Sequence, residues 1–134
     1  MATRSHIGKR NQDGSITSIY CHWDGYPEHH GPILNGHYKD ESKLDKLLEM
    51  GNLSSLAQEI GDESHDFNNP PEGICNFYGR DRKEKNQEAS TLTDSAFQRM
   101  LKESWGEYVY ILENGEWKYS HIGDGGKTHF IELK

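Results

Sequence analysis

The alternation of apolar and polar residues predicts a β-hairpin near the N-terminus. Arg4–Arg10 alternates loosely and leads into a turn at Asp13-Gly14, and Asp-Gly supplies the positive backbone angles of a tight hairpin turn. Ser15–Cys21 is rich in β-branched residues and is predicted as the return strand.

A second hairpin is predicted near the C-terminus. Tyr108–Leu112 has the composition of a strand, Glu113-Asn114-Gly115 that of a turn, and Trp117–Tyr119 returns. Thr128–Leu133 alternates once more and is predicted as a last edge strand, after a flexible Gly123–Gly126.

Helical periodicity occupies much of the chain between the hairpins. The predicted helices begin at Pro27 or Pro32, at Ser42, and after Thr91 or Thr93. The later proline is favoured because Gly31 precedes it. The second helix carries leucines at i, i+3 and i+4 and ends at Gly51.

The remaining segments carry weaker signals. Leu53–Ile60 is predicted to be short and partly helical, and Ile74–Tyr78 to be a strand. Gly61–Gly73 is predicted as a long loop and Gly79–Ser90 as a charged, exposed excursion. Together the elements predict one α+β domain over residues 1–134, with an antiparallel sheet built from two hairpins and helices packed on one face.

Composition narrows the classes of partner. The 134 residues include 22 acidic and 15 basic side chains, for a formal charge of −7. Such a chain repels duplex nucleic acid unless basic groups are focused locally, whereas the acidity would suit a DNA mimic. A hydrophobic content of 32% leaves two interpretations, a small core supplemented by aromatic residues or a chain that completes its burial by oligomerising, and the small size of the domain favours the second.

Targeting and cysteine patterns indicate an intracellular chain. No apolar signal region opens the sequence and no run reaches the length of a membrane span, so we expect a cytoplasmic protein without a membrane partner. Cys21 and Cys75 form no CxxC pair and are predicted to be reduced core residues.

No motif indicates catalysis. The eight histidines show no HExxH spacing, and neither a G-x-S-x-G elbow nor a phosphate loop occurs. Cys21 and His22 are strand neighbours that face opposite ways, which does not give a nucleophile and its base. We therefore expect a binding protein rather than an enzyme, with no cofactor and no metal.

The segment His22–Glu28 is the first candidate site. It places Trp23, Asp24 and Tyr26 on a turn before a helix. Two interpretations remain open. The segment is a structural corner with Trp23 packed in the core, or its aromatic rings and exposed backbone N–H groups receive a base and its phosphate.

The segment Asn76–Lys83 is the second candidate. Phe77 and Tyr78 precede Arg80 and Arg82, which share a face if the strand continues. An aromatic ring stacks on a nucleobase and arginine binds phosphate through a planar fork. The alternative is a solvated loop of mixed charge.

These residues resemble a family of small phage-encoded proteins. The resemblance covers most of the chain and is carried by Thr3-Arg4, His22–Glu28, Phe77–Arg82 and Trp105–Trp117. The family is similar to the first type of Thoeris anti-defence protein, a phage sponge that sequesters a cyclised ADP-ribose signal made by bacterial TIR enzymes.

The resemblance implies properties that the residues alone do not show. It implies an α+β fold, a homo-oligomer (a dimer, or a hexamer built from dimers), and a nucleotide ligand that is held without cleavage. Cyclic oligonucleotides are implied as a further ligand at a separate site between subunits. The ligand-binding residues expected from the resemblance and the two candidate segments are Phe77, Tyr78, Arg80, Arg82, Trp23, Tyr26 and Arg4.

Three functions therefore compete. The leading one is a sponge for a cyclic ADP-ribose signal, which predicts arginines lining a pocket. The rival is an acidic inhibitor of a host defence nuclease, which predicts a flat acidic surface. A hydrolase acting on the signal is the weakest. For the sponge, Arg80→Ala and Arg82→Ala are both expected to weaken binding with little loss of stability.

Overall fold

The computed structural model describes residues 3–103 and 106–122, and the backbone of 131–132. Trp105, the Gly123–Gly126 segment and Thr128–Phe130 of the last predicted strand lie outside the described residues.

Both predicted hairpins are present and form the centre of one sheet. Strands β1 (Ser5–Arg10) and β2 (Ile16–Cys21) pair in register from Ser5↔Cys21 to Arg10↔Ile16, and β6 (Tyr108–Glu113) and β7 (Glu116–His121) pair from Tyr108↔His121 to Glu113↔Glu116. The strands are β1 (Ser5–Arg10), β2 (Ile16–Cys21), β3 (Leu53–Ser55), β4 (Asn76–Phe77), β5 (Ser90–Leu92), β6 (Tyr108–Glu113), β7 (Glu116–His121) and β8 (Ile131–Glu132).

The hairpins are joined through their first strands. The sheet runs β4-β3-β2-β1-β6-β7-β8, and β5 also pairs with β2. The β1–β6 and β2–β3 pairs are parallel, and the other strand pairs are antiparallel. The predicted α+β class is confirmed, with these parallel pairs as a difference in detail.

Four helices are described: α1 (Pro27–His37), α2 (Glu41–Met50), α3 (Tyr78–Arg82) and α4 (Asp94–Glu103). Asp40 caps α2 by accepting a hydrogen bond from the Ser42 N–H, and Gly51 ends that helix with a φ of 85°. Thr93 Oγ1 accepts from the Ala96 N–H at the start of α4.

Helices pack on both faces of the sheet, and each face has its own apolar cluster. On the face covered by α1 and α2, Ile7, Ile19 and Tyr110 pack with helix residues such as Leu34 and Leu47. On the opposite face, which we call the α4 face, the α4 residues Phe97 and Leu101 pack on the sheet residues Ile16, Val109 and Ile111. Strand alternation explains the division, because Val109 and Tyr110 point to opposite sides. The helices thus lie on both faces rather than on one.

Three local predictions were wrong. The first helix begins at Pro27 rather than at Pro32, which lies inside it. Proline suits the first position of a helix because the N–H that it lacks would have no partner within the helix there. Leu53–Ile60 begins with strand β3, which pairs with β2. Three residues are too few to show the alternation of apolar and polar side chains that would have predicted a strand. Gly79–Ser90 begins within α3, where Asp81 is buried. Gly61–Gly73 is an irregular loop, as predicted.

The segment after β2 is a rigid corner. The Gly25 N–H donates to Thr3 O at 2.8 Å, and the Tyr110 hydroxyl donates to Gly25 O at 2.6 Å. A Cβ at Gly25 would lie 2.7 Å from both the carbonyl oxygen of Thr3 and the Cβ of Ser5. Only glycine therefore allows the corner to approach the start of β1 so closely.

We expect Gly25→Ala to lower the free energy of unfolding by about 1–3 kcal/mol, because the backbone of Thr3 must move to accept the methyl group. Gly36→Ala is the matched control, since a Cβ there meets nothing within 4 Å. In α1 it should raise stability by up to about 1 kcal/mol. Urea unfolding of both variants checks the expectation, and equal effects would contradict it.

No helix among the described residues is long and apolar enough to cross a membrane.

Candidate functional site

A buried carboxylate organises the second candidate segment. Asp81 lies in α3 with its side chain fully buried. Its oxygens accept hydrogen bonds from the Phe77 N–H at 2.8 Å, the His65 N–H at 3.2 Å and Arg80 Nε at 2.9 Å. Burial alone would raise the pKa of Asp81, but the hydrogen bonds from Arg80 and the two amides outweigh it, and the pKa is lowered. The carboxylate is therefore charged, and both of its oxygens accept hydrogen bonds from the protein.

Arg80 is a structural residue. Besides Asp81, its guanidinium donates to Ile60 O and Gly61 O at 2.9 Å and to Cys75 O at 3.1 Å, and its side chain is 12% exposed. These bonds use the donors that a phosphate would need. The expectation that Arg80 and Arg82 share a face was wrong, because α3 turns the Arg80 side chain inward instead of leaving it beside Arg82.

Phe77 is likewise excluded from the site. Its side chain is fully buried on the α1 and α2 face, where it packs in the main apolar cluster. The predicted alternation left one of Phe77 and Tyr78 facing a ligand, and the structure selects Tyr78.

Arg82 lies over two aromatic rings. Its guanidinium carbon is 4.9 Å from the ring centre of Phe67 and 5.1 Å from that of Tyr78. The two rings are 5.5 Å apart, and Arg82 Nε is 2.7 Å from Oε2 of Glu84. With 51% of its side chain exposed, Arg82 remains accessible to a ligand.

The ring of Phe67 is brought to this position by the loop after β3. Asn76 donates from Nδ2 to Phe67 O at 3.0 Å, and its Oδ1 lies 2.9 Å from His65 Nε2. The loop thus bonds to β4 and to Asp81 at once. Phe67 was not predicted, since a single phenylalanine in a polar loop carries no signal for this contact.

A second group of polar side chains lies at the end of β2. The Tyr20 hydroxyl is 2.7 Å from His22 Nδ1, and the rings of His22 and Trp23 pack in a T-shaped arrangement, with their centres 4.7 Å apart and an angle of 88° between their planes. Arg4 forms a hydrogen bond with Tyr20, and its charge also acts on His22. Trp23 is 45% exposed, so of the two interpretations of this segment, the one that packs Trp23 in the core does not hold.

The two groups are continuous across the end of β3. The Trp23 N–H donates to Ser54 O at 3.0 Å, and the Ser54 side chain is close enough to Tyr78 to offset part of the rise that burial causes in the pKa of its phenol. Tyr20 and Tyr78 are close enough to interact electrostatically. Tyr20 shares its face with Ile16, so the surface belongs to the α4 face. We call it the aromatic–arginine cluster; its members are Arg4, Tyr20, His22, Trp23, Phe67, Tyr78 and Arg82.

Tyr26 lies elsewhere. It caps α1 and is 38% exposed, but its ring contacts His29, whose neighbour His30 packs on Tyr110. Tyr110 belongs to the cluster under α1 and α2. Four of the seven predicted residues (Arg4, Trp23, Tyr78 and Arg82) therefore come together, and Phe77, Arg80 and Tyr26 do not join them.

Several exposed acidic side chains are paired with lysines. Lys9 bonds to Glu41 and Asp45 of α2, and Lys43 bonds to Glu59. A groove of about 620 Å³ lies between α2 and residues 59–62. Lysine and carboxylate side chains line it, and no predicted site residue does. Within the described part of the chain, no three His, Cys, Asp or Glu side chains converge as metal ligands.

No protein-family model matches the chain, and comparisons with curated proteins and with solved structures give no significant match either. The resemblance to the sponge family stays a prediction.

The two arginines should respond differently to truncation. Arg80→Ala leaves Asp81 charged and buried without its partner, which typically costs about 3–5 kcal/mol of folding free energy. Arg82→Ala removes an exposed ion pair and two exposed cation–π contacts, together worth about 1 kcal/mol. Thermal or urea unfolding of the two variants separates these outcomes, and equal destabilisation would refute the structural assignment of Arg80.

Proposed function

We propose that this protein binds a nucleotide signal of the cyclic ADP-ribose type and sequesters it without cleaving it. The observation that carries the proposal is Arg82, half-exposed over the rings of Phe67 and Tyr78. The resemblance of the sequence to phage sponges supports the choice of ligand. On the same ground we propose action in the cytoplasm of an infected cell and a homo-oligomeric assembly.

A nucleobase would be recognised by stacking. Planar guanidinium groups and aromatic rings both accept a base face, and such contacts contribute about 1–3 kcal/mol per base. Phe67 and Tyr78 hold the Arg82 plane by cation–π contact, which reduces the entropy that Arg82 loses on binding. Trp23, exposed across Ser54 from Tyr78, supplies a second ring.

Positive charge is locally focused despite the formal charge of −7. Arg4 and Arg82 both belong to the cluster, and Glu84 is the carboxylate described in contact with Arg82. A ligand phosphate would be bound by Arg4, whose guanidinium fork suits the geometry of the phosphate oxygens, while Arg82 receives the base.

Binding without turnover fits the state of the thiols. Cys21 and Cys75 are buried, and burial raises the pKa of both, so neither forms a thiolate readily near neutral pH. Tight binding through stacking and charge-assisted hydrogen bonds requires no activated nucleophile. The proposed sponge therefore depends on complementarity to the ground state of its ligand.

Calorimetric titration of the protein with cyclic ADP-ribose tests the proposal. We expect binding at micromolar ligand or tighter, and Arg82→Ala should weaken it about tenfold or more, since stacking of a base contributes about 1–3 kcal/mol. Arg99→Ala, a change at an exposed arginine on α4, should bind as the unmodified protein does.

Absence of binding, or equal affinity of the Arg82 and Arg99 variants, would contradict the proposal. Heating the complex and analysing the released ligand by mass spectrometry distinguishes a sponge from an enzyme. Intact ligand after hours of incubation supports sequestration, and a hydrolysed product excludes it.

A further inference from the structure

We propose that Arg4, Tyr20 and His22 form a phosphate-binding subsite of the aromatic–arginine cluster, and that His22 takes up a proton when a phosphate group binds there. This inference rests on the proposed function, because it assigns the ligand's phosphate and base to different parts of the same surface.

The geometry supplies converging hydrogen-bond donors. Tyr20 and His22 are held together by the 2.7 Å contact between the hydroxyl and Nδ1, and Arg4 forms a hydrogen bond with the same hydroxyl. The Trp23 and His22 rings pack in a T-shaped arrangement. Since Nδ1 is occupied by Tyr20, Nε2 is the atom with which His22 would donate to a ligand oxygen.

The surroundings of Nε2 favour an anion. Among the described residues, the hydrogen bond with Tyr20 is the one recorded for the His22 ring. Arg4 is the charged neighbour that acts on His22, and its positive charge disfavours protonation of the imidazole. A guanidinium, a phenol and an imidazole at one place complement a phosphate, which accepts from all three.

His22 is the group whose charge can change near neutral pH. Burial, and then the charge of Arg4, lower the pKa of His22 below its ordinary value of 6.5, so the free protein carries neutral His22 at pH 7. His6, which packs on Tyr20, has its pKa lowered to about 4 by burial and stays neutral. Burial raises the pKa of both Tyr20 and Tyr78, so these phenols stay protonated.

A bound phosphate reverses the balance at His22. Its negative charge offsets Arg4 and stabilises the imidazolium, so the pKa of His22 rises in the complex. Proton binding linked to ligand binding makes affinity increase as the pH falls, with a limit of about tenfold per pH unit for one proton. The increase ends when the pH falls below the pKa of His22 in the free protein, because His22 is then already charged.

The test is calorimetry with cyclic ADP-ribose at pH 6.0, 7.0 and 8.0, in two buffers with different ionisation heats, so that proton uptake is measured directly. The unmodified protein should take up between zero and one proton at pH 7 and bind more tightly at pH 6 than at pH 8. His22→Gln should bind several-fold more weakly at pH 6 and take up no proton. His37→Gln is the control, because His37 is exposed at the end of α1.

Adenosine, which lacks phosphate, separates the two parts of the site. Its binding should be weaker, independent of pH and unaffected by His22→Gln, while Arg82→Ala weakens it. Melting temperatures of the variants verify that each remains folded, and Tyr20→Phe offers a second variant that removes the hydroxyl and keeps the ring.

The outcomes distinguish the subsite from the proposed function. If cyclic ADP-ribose binds tightly but without proton uptake, and His22→Gln keeps the affinity and pH dependence of the unmodified protein, the subsite is refuted and the sponge is not. If neither cyclic ADP-ribose nor adenosine binds at any pH, both proposals fail.

Discussion

The hydrogen-bonded carboxylate of Asp81 is the constraint on which the proposed site depends. A buried charge is costly unless donors surround it, and here the donors come from two separate parts of the chain: the His65 amide in the loop, and the Phe77 amide and the Arg80 guanidinium where β4 leads into α3. Arg80 extends the network to the carbonyl groups of Ile60, Gly61 and Cys75. The loop after β3, strand β4 and helix α3 are therefore held as one unit, and the relative positions of Phe67, Tyr78 and Arg82 follow from it.

Two arginines separated by one residue consequently have opposite roles. Arg80 is turned inward, where all its partners belong to the protein, and Arg82 is turned outward onto two rings. The bonds of Arg80 fix the rings on which Arg82 lies. An arginine whose supporting rings are fixed loses less conformational freedom when it binds a ligand. An acidic protein can thus concentrate binding in a small region, while lysines such as Lys9 and Lys43 neutralise carboxylates on α2 and beside it.

The sequence was most informative where local chemistry determines structure. Asp13-Gly14 and Asn114-Gly115 specify hairpin turns, and the leucine spacing before Gly51 specifies α2. Non-local pairing was not predictable, because the three residues of β3 carry no pattern that indicates parallel pairing with β2.

The candidate site was predictable in the same limited way. Aromatic residues beside arginines pointed to the segment that carries Tyr78 and Arg82, but aromatic residues also favour strands, and so the helical turn of α3 was missed. Phe77 and Arg80 were expected to face a ligand, but Phe77 packs in the core and Arg80 bonds to the buried Asp81. Tyr20 and Phe67 enter the cluster only through contacts between distant segments, for which neither residue type gives a signal.

The location of the ligand tests the account most directly. A crystal structure of the protein with cyclic ADP-ribose should show the base stacked on Arg82 or on the rings of Tyr78 and Trp23, and the phosphates at Arg4 and His22. The network around Asp81 should be unchanged in that complex. A ligand bound in the groove between α2 and residues 59–62, or held by Arg80 with its bonds to Asp81 broken, would contradict it.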